Sequence, residues 1–146
     1  MSFEEWEKGA PESFKADTLW KVKAYRLALY LSDLCWQDAT VLLKDKRTVA
    51  LSDQLLRAVG SVSANIAEGY SRSTGKDRAL FYQYALGSAR ESRDWYYKAR
   101  FILGDETSNN RFQIITEILR LLLTMIPQQR GHTLREDTEP YDANPV

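Results

Sequence analysis

Apolar residues that recur at steps of three and four along four separate segments constrain this chain more than any other feature of its sequence. Such spacing places the apolar side chains on one face of an α-helix. No segment alternates polar and apolar residues for the length of a strand. The four segments therefore predict an all-α protein, an antiparallel up-and-down four-helix bundle. The apolar seams of the four helices are, in chain order, Trp20, Ala24, Leu27, Leu31 and Leu34; Leu51, Leu55, Val59, Val62 and Ile66; Phe81, Ala85, Ser88, Ser92, Trp95, Ala99 and Ile102; and Phe112, Ile115, Leu119, Leu122 and Ile126.

The residues between these seams include several that begin or end helices. Thr74 with Asp77 resembles a capping box, in which an N-cap hydroxyl is followed three residues later by an acid. Gly69 is expected to be a left-handed cap at the end of the second helix, and Gly104 is expected to end the third. Pro127 is expected to end the fourth helix, because proline lacks the backbone N–H that a helix interior needs.

The charge of the 146-residue chain is zero overall but unevenly distributed. Residues 1–16 carry two Lys against four Glu, and residues 127–146 carry two Arg against four acidic residues. Residues 17–126 hold sixteen basic and twelve acidic residues, an excess of +4, so the neutral total does not exclude an anionic partner. We predict an acidic, mobile N-terminal extension (1–16), one four-helix bundle domain (17–127) and a polar, acidic C-terminal tail (128–146).

Two features of the sequence bear on where the protein resides. The N-terminal residues MSFEEWEKGAPES lack the basic, apolar and small-residue zones of a secretory signal peptide. Thr116, Glu117 and Arg120 interrupt the fourth helix well short of the roughly 20 apolar residues that a membrane span needs. We therefore expect a cytoplasmic protein that has no membrane partner.

The first and fourth helices each carry a second apolar face. At 100° per residue, its side chains lie well away from the seam that faces the bundle core. A contiguous exposed apolar surface usually marks an interface, so we expect a homo-oligomer. The alternative is that a small bundle simply has wide core-facing stripes. The predicted interface residues are Val22, Tyr25, Leu29, Trp36 and Leu43 of the first helix and Ile114, Ile118, Leu121 and Met125 of the fourth.

Residue types that carry enzymatic chemistry are sparse. The only cysteine, Cys35, lies in an apolar stretch and the only histidine, His132, lies in the polar tail, so the two cannot form a usual zinc site. The chain has no P-loop, no glycine-rich dinucleotide turn and no nucleophile elbow. We expect no enzyme activity, cofactor, metal or small-molecule substrate, and we interpret Cys35 as a small apolar core residue.

Three polar residues lie close to the apolar seams. Asn65 and Glu68 are three residues apart on the second helix, and Glu91 lies beside the Ser92 seam position of the third. A carboxylate near the core is costly unless it is paired, so we predict an interhelical polar network that fixes the register of the bundle. The alternative, an acid/base or metal site, lacks a histidine or a further carboxylate on the same faces.

Basic and aromatic residues gather on the third predicted helix and the turn before it. Guanidinium groups can bind phosphates through paired hydrogen bonds, and tyrosine rings can stack on unpaired bases. The alternative is a solvated face whose arginines pair with acidic residues nearby. The predicted nucleic-acid-binding residues are Arg72, Lys76, Arg78, Arg90, Arg93, Arg100, Tyr82 and Tyr97.

Several stretches resemble a known family. Residues 61–72, which read SVSANIAEGYSR, are similar to a motif of the bacterial four-helix proteins encoded within intervening sequences of 23S ribosomal RNA genes. Residues 85–91 (ALGSARE) and 98–100 (KAR) resemble the third helix of that family, and residues 20–24 (WKVKA) loosely resemble its first. The resemblance covers about 18–126, and the acidic segments outside it depart from the usual form of the family.

The resemblance implies a fold more directly than a function. The family and the related accessory variability proteins of diversity-generating retroelements look like pentameric bundles, which implies a homopentameric ring here. The retroelement relatives engage nucleic acid and a reverse transcriptase through a basic surface. We therefore expect a non-enzymatic oligomeric binding module that associates with RNA or a ribonucleoprotein. The alternatives are a protein–protein interaction scaffold that binds no nucleic acid and an enzyme whose site forms only on assembly.

Overall fold

The computed structural model describes the backbone of residues 1–135 and the side chains of residues 1–131. Every regular element in this part of the chain is helical, which confirms the all-α prediction. Four helices are long, as the four apolar seams predicted. In chain order the elements are α1 (Phe3–Lys8), α2 (Glu12–Lys15), a 3₁₀ helix (Thr18–Lys21), α3 (Lys23–Leu42), α4 (Val49–Tyr70), α5 (Gly75–Leu103) and α6 (Asp105–Arg135).

The four long helices pack side by side, each against the next along the chain, and α6 returns to α3. Asp38 near the end of α3 meets Arg111 near the start of α6, and Gly69 near the end of α4 meets Tyr82 near the start of α5. Neighbouring helices are therefore antiparallel. The seams predicted for the second and fourth helices line the core, where Leu55, Ile66, Ile115 and Leu122 are fully buried. Burial of such apolar side chains is the main stabilising contribution to the bundle.

The turn that joins α4 to α5 corrects one prediction about glycine. Gly69 is not a left-handed cap, because α4 continues to Tyr70 and Gly69 has helical geometry. Glycine at this position lets α4 and α5 approach closely, because a Cβ atom there would lie 2.9 Å from Cε1 of Tyr82 and 3.0 Å from Cβ of Phe81. By contrast, Gly104 ends α5 with a φ of 85°, a conformation that glycine adopts without strain, as predicted.

The start of α5 agrees with the capping prediction. Thr74 is the N-cap residue, and its hydroxyl oxygen accepts a hydrogen bond from the backbone N–H of Asp77 at 3.2 Å. Asp77 in the first turn also interacts favourably with the positive end of the helix dipole. The first turn of α5 is thus held by its own sequence.

Pro127 does not end the fourth helix, so this prediction is wrong. Helix α6 continues through Pro127 to Arg135, and the boundary predicted at 127 does not coincide with the end of the helix. Ile126 and Gln129, on either side of the exposed proline, are buried against the rest of the bundle. Their packing holds the helix together despite the missing N–H. The last eleven residues of the predicted tail, 136–146, lie outside the described residues.

The structure also differs from the prediction of a mobile N-terminal extension. Helices α1 and α2 and the 3₁₀ helix form a unit, here called the N-terminal cap (residues 1–21), which contacts α3. The indole N–H of Trp6 donates a 2.7 Å hydrogen bond to Asp33, and Glu7 forms an ion pair with Arg26. The prediction rested on the charge of this segment, whereas its aromatic residues hold it against α3.

Candidate nucleic-acid interface

The outer face of α5 carries a shallow groove beside α6. Arg90, Arg93 and Tyr97 are spaced by three and four residues, so their side chains lie on one face of the helix. Phe112 of α6 closes the opposite wall. The groove has a volume of about 420 Å³ and is lined by Arg90, Arg93, Asp94, Tyr97 and Phe112.

The two groove arginines differ from most arginines of the chain in having no partner among the described residues. Arg57, for example, pairs with Asp53 at 3.1 Å, four residues earlier on its helix. The one acid in the groove, Asp94, could reach Arg90 but instead binds Nζ of Lys98 at 2.7 Å. Neither Arg90 nor Arg93 forms an ion pair or hydrogen bond with the part of the chain that the structure describes. Their ten N–H donors therefore remain available to a ligand.

Tyr97 presents its ring to solvent next to these guanidinium groups. Its side chain is 54% exposed, and the guanidinium carbon of Arg100 lies 3.8 Å from the ring centroid. Arg100 also donates to the carbonyl oxygen of Tyr97 at 2.9 Å. Arg100 thus orients the tyrosine through a cation–π contact and does not itself line the groove.

The remaining basic residues predicted for this site lie elsewhere. Arg72 binds Glu68 at 2.7 Å, and its guanidinium carbon lies 4.5 Å from the centroid of the Phe81 ring. Arg78 donates to the carbonyl oxygen of Arg72 at 2.9 Å, so both arginines tie the α4–α5 turn together. Lys76 is exposed in the first turn of α5. Twelve residues of helix, roughly 18 Å, separate Arg78 from Arg90, so the predicted basic face is two separate clusters.

Tyr82 is not part of any surface, which corrects its assignment to the nucleic-acid-binding face. It is completely buried between α4 and α5. The predicted seam of α5 is half correct. Ala85, Ser92 and Ala99 are buried as predicted, whereas Phe81, Ser88 and Trp95 are only half-buried, because the residue after each of them faces the core instead. The buried residues of α5 are Gly75, Ala79, Tyr82, Ala85, Ala89, Ser92, Tyr96 and Ala99.

The predicted polar network between helices is absent from the described residues. Asn65 donates to the carbonyl oxygen of Ser61, and Glu68 is exposed and pairs with Arg72. Glu91 is exposed and accepts a 3.1 Å hydrogen bond from the indole of Trp95. Each of the three bonds to a residue four positions away along the chain and not to another helix of the bundle.

A different buried polar cluster connects three helices, and the sequence analysis missed it. Asp38 of α3 accepts hydrogen bonds from the Tyr96 hydroxyl at 2.7 Å and from two nitrogens of Arg111 at 2.7 and 2.9 Å. Burial raises the pKa of Tyr96 well above its usual value, and the adjoining thiol of Cys35 is raised by burial to a pKa of about 11. The available signal was an acid on the core-facing stripe of α3, between Leu31 and Leu42.

This cluster, here called the Asp38 cluster (Asp38, Tyr96 and Arg111), is a structural pairing. A bidentate arginine compensates the buried carboxylate and the tyrosine hydroxyl completes its hydrogen bonds, which is what a buried charge requires. Among the described side chains, no three His, Cys, Asp or Glu residues come together as metal ligands. Helices long and apolar enough to cross a bilayer are likewise absent from the described residues.

Some residues of the predicted oligomer interface are buried in the core of the chain, and others are accessible to solvent. Val22, Ile118, Leu121 and Met125 are buried inside the single chain and cannot contact another copy. The last three belong to α6, which packs a broad apolar face into the core. The residues that remain at least partly accessible are Tyr25, Leu29 and Ile114, which are half-buried, and Trp36 and Leu43, which are 72% and 55% exposed.

Comparison with known proteins agrees with the resemblance noted in the sequence. The family model described as 23S rRNA-intervening sequence protein matches residues 21–124. These residues extend from the end of the 3₁₀ helix into α6. No curated protein and no solved structure matches the chain. The groove and the Asp38 cluster both lie within the matched residues, whereas nearly all of the N-terminal cap lies outside them.

Proposed function

The chain belongs to the family of 23S rRNA-intervening sequence proteins, and from this premise we propose that it is a non-catalytic, homo-oligomeric module that binds RNA or a ribonucleoprotein. The observation that carries the proposal is the pair Arg90 and Arg93, which have no internal partners among the described residues and stand beside the exposed Tyr97 ring. Unpaired guanidinium groups next to an aromatic surface suit a nucleic-acid strand.

The groove offers groups that suit both the phosphates and the bases of a nucleic-acid strand. Arg90 and Arg93 would bind successive phosphates, each through two parallel N–H···O hydrogen bonds. Tyr97 and Phe112 would stack against an unpaired base, a contact of roughly 1–3 kcal/mol that tolerates any base. Such a site prefers single-stranded loops or bulges, because the bases of a continuous RNA helix are not accessible for stacking.

Assembly would convert this weak site into a stronger one. Two arginines per chain contribute few phosphate contacts, but a ring repeats them at fixed spacing, so one strand could engage several subunits at once. Trp36 on α3 and Phe101 on α5, which are 72% and 80% exposed, lie on different helices. Two unlike exposed apolar side chains suit a head-to-tail contact, and such a contact makes a ring when the rotation between subunits closes. We favour a pentamer, as the family resemblance implies.

Fluorescence anisotropy with a structured, loop-containing RNA tests this function. The double variant Arg90→Glu/Arg93→Glu should lose at least about tenfold in affinity, because two phosphate contacts become repulsive. The control is Lys21→Glu/Lys46→Glu, which changes the net charge by the same amount at two exposed positions outside the groove. RNA affinity that survives the groove change, or that falls equally in the control, would show that the groove is not the site.

A second candidate is a protein–protein scaffold that binds no nucleic acid, and the exposure of Trp36 and Phe101 favours it. Large exposed apolar side chains are typical of protein interfaces. Under this function, Trp36→Ser would abolish capture of a partner protein and RNA would not bind at any salt concentration. Multi-angle light scattering of the same variant distinguishes loss of a partner from loss of self-assembly.

A further inference from the structure

The N-terminal cap and α3 enclose the larger of the two surface cavities described here, about 490 Å³ in volume. This volume falls within the roughly 300–1,000 Å³ typical of small-molecule sites. The cavity, here called the cap cavity, lies on α3 and the cap, whereas the arginine groove lies on α5 and α6. Its walls include four aromatic side chains, Trp6, Phe14, Trp20 and Tyr30.

Hydrogen bonds and ring contacts hold three of these aromatic walls in place. The Trp6 ring stacks on the Trp20 ring, with centroids 5.9 Å apart and planes inclined by 23°. The Trp6 and Tyr30 centroids are 5.7 Å apart, and the Tyr30 hydroxyl donates to the carbonyl oxygen of Met1 at 2.7 Å. The walls are therefore preorganised, which lowers the entropic cost of binding.

The charged side chains of the cavity have one sign. Glu5 and Asp33 both line it, and no lysine or arginine side chain does. Oδ2 of Asp33 accepts the indole N–H of Trp6 at 2.7 Å, which fixes the carboxylate beside the rings. The Oδ1 atom accepts no hydrogen bond from the described residues. Two basic residues of the cap and α3 are engaged with other groups: Arg26 pairs with Glu7, and Lys15 donates to the carbonyl oxygen of Lys8.

We propose that the cap cavity binds a small organic cation with an alkylated ammonium group, of about the size of choline. Aromatic faces attract a cation through their electron-rich surfaces, and their apolar character suits N-methyl groups that cannot donate hydrogen bonds. Asp33 and Glu5 neutralise the ligand charge. Both carboxylates would repel an anion, and a neutral apolar ligand would leave both without a counter-charge.

The sharpest test compares two probes of nearly equal shape. Isothermal titration calorimetry, together with the fluorescence of Trp6 and Trp20, is carried out with choline and with its neutral isostere 3,3-dimethylbutan-1-ol. Choline should bind saturably with one site per chain and quench the tryptophan emission. The isostere should bind at least about tenfold more weakly, because it has the same shape but no charge. Equal binding of both probes, or no saturable binding of choline at millimolar concentration, would overturn the proposal.

Two variants and a control locate the site. Asp33→Asn keeps the side-chain shape and an oxygen acceptor for Trp6 but removes the charge, so choline affinity should fall several-fold while the affinity for the neutral isostere stays the same. Trp20→Leu should weaken choline binding further. Trp36→Leu removes an exposed tryptophan outside the cavity and should leave choline binding unchanged. Choline affinity that responds to Trp36 and not to Asp33 would place the ligand elsewhere and contradict the assignment.

Discussion

The two faces of α5 use the same residue types for opposite purposes. Tyr96 points inward, where its hydroxyl binds Asp38 beside the Arg111 guanidinium, whereas the next residue, Tyr97, is exposed beside Arg90 and Arg93. On the inner face Asp38 and Arg111 are paired, whereas on the outer face Arg90 and Arg93 have no partner among the described residues. A tyrosine and an arginine therefore stabilise the fold where they bind a buried acid, whereas on the outer face the same residue types are exposed to solvent.

Truncating the buried arginine should have the largest effect on stability. Arg111→Ala leaves the Asp38 carboxylate buried without its bidentate partner, so the free energy of unfolding should fall by about 3–5 kcal/mol. Urea denaturation measures this loss. The matched variant Arg93→Ala on the outer face should change stability by no more than about 0.5 kcal/mol. A similar loss in both variants would break the distinction between the two faces.

Adding a side chain where α4 and α5 pack most closely should have the next largest effect on stability. Gly69→Ala places a Cβ atom 2.9 Å from the Tyr82 ring, and the helices must move apart to admit it. We expect a loss of about 1–3 kcal/mol in the free energy of unfolding, the usual cost of overpacking, measured by urea denaturation. A variant that is as stable as the parent would show that the packing at this point is looser than the distances indicate.

The same substitution on the outer face should have a smaller effect of opposite sign. A Cβ atom at Gly87 in α5 would meet nothing within 4 Å, so Gly87→Ala should raise the free energy of unfolding by about 0.5–1 kcal/mol through lower backbone entropy in the unfolded chain. Thermal melting checks the direction of the change. A fall in stability, together with a smaller assembly by light scattering, would show that another copy packs closely against this face.

The periodic spacing of large apolar residues was enough to predict the four long helices. Leu55, Val59, Val62 and Ile66 of α4, for example, are all buried as predicted. Helix α5 was harder, because small residues mark a seam weakly. Ala85, Ser92 and Ala99 are buried as predicted, but the buried Tyr82 was assigned to the exposed face. The family assignment made from the motif in residues 61–72 is confirmed.

Contacts between distant parts of the chain could not be predicted from local patterns. Asp38 lies 58 residues from Tyr96 and 73 from Arg111, and no local spacing links them. The N-terminal cap depends in the same way on contacts between Trp6 and Asp33, 27 residues apart. Arg90 and Arg93 were predicted together with Arg72 and Arg78, but only the folded structure shows which arginines already have partners.

The most direct test of the central claim is the salt dependence of RNA binding by Arg90→Ala/Arg93→Ala, measured by fluorescence anisotropy beside the parent protein. Each phosphate contact contributes about 0.7 to the slope of log affinity against log salt on a single strand. Removing two contacts per groove should lower the magnitude of that slope by about 1.4 or more, with unfolding in urea unchanged. A slope equal to that of the parent would show that the groove arginines do not bind RNA phosphates and would contradict the account.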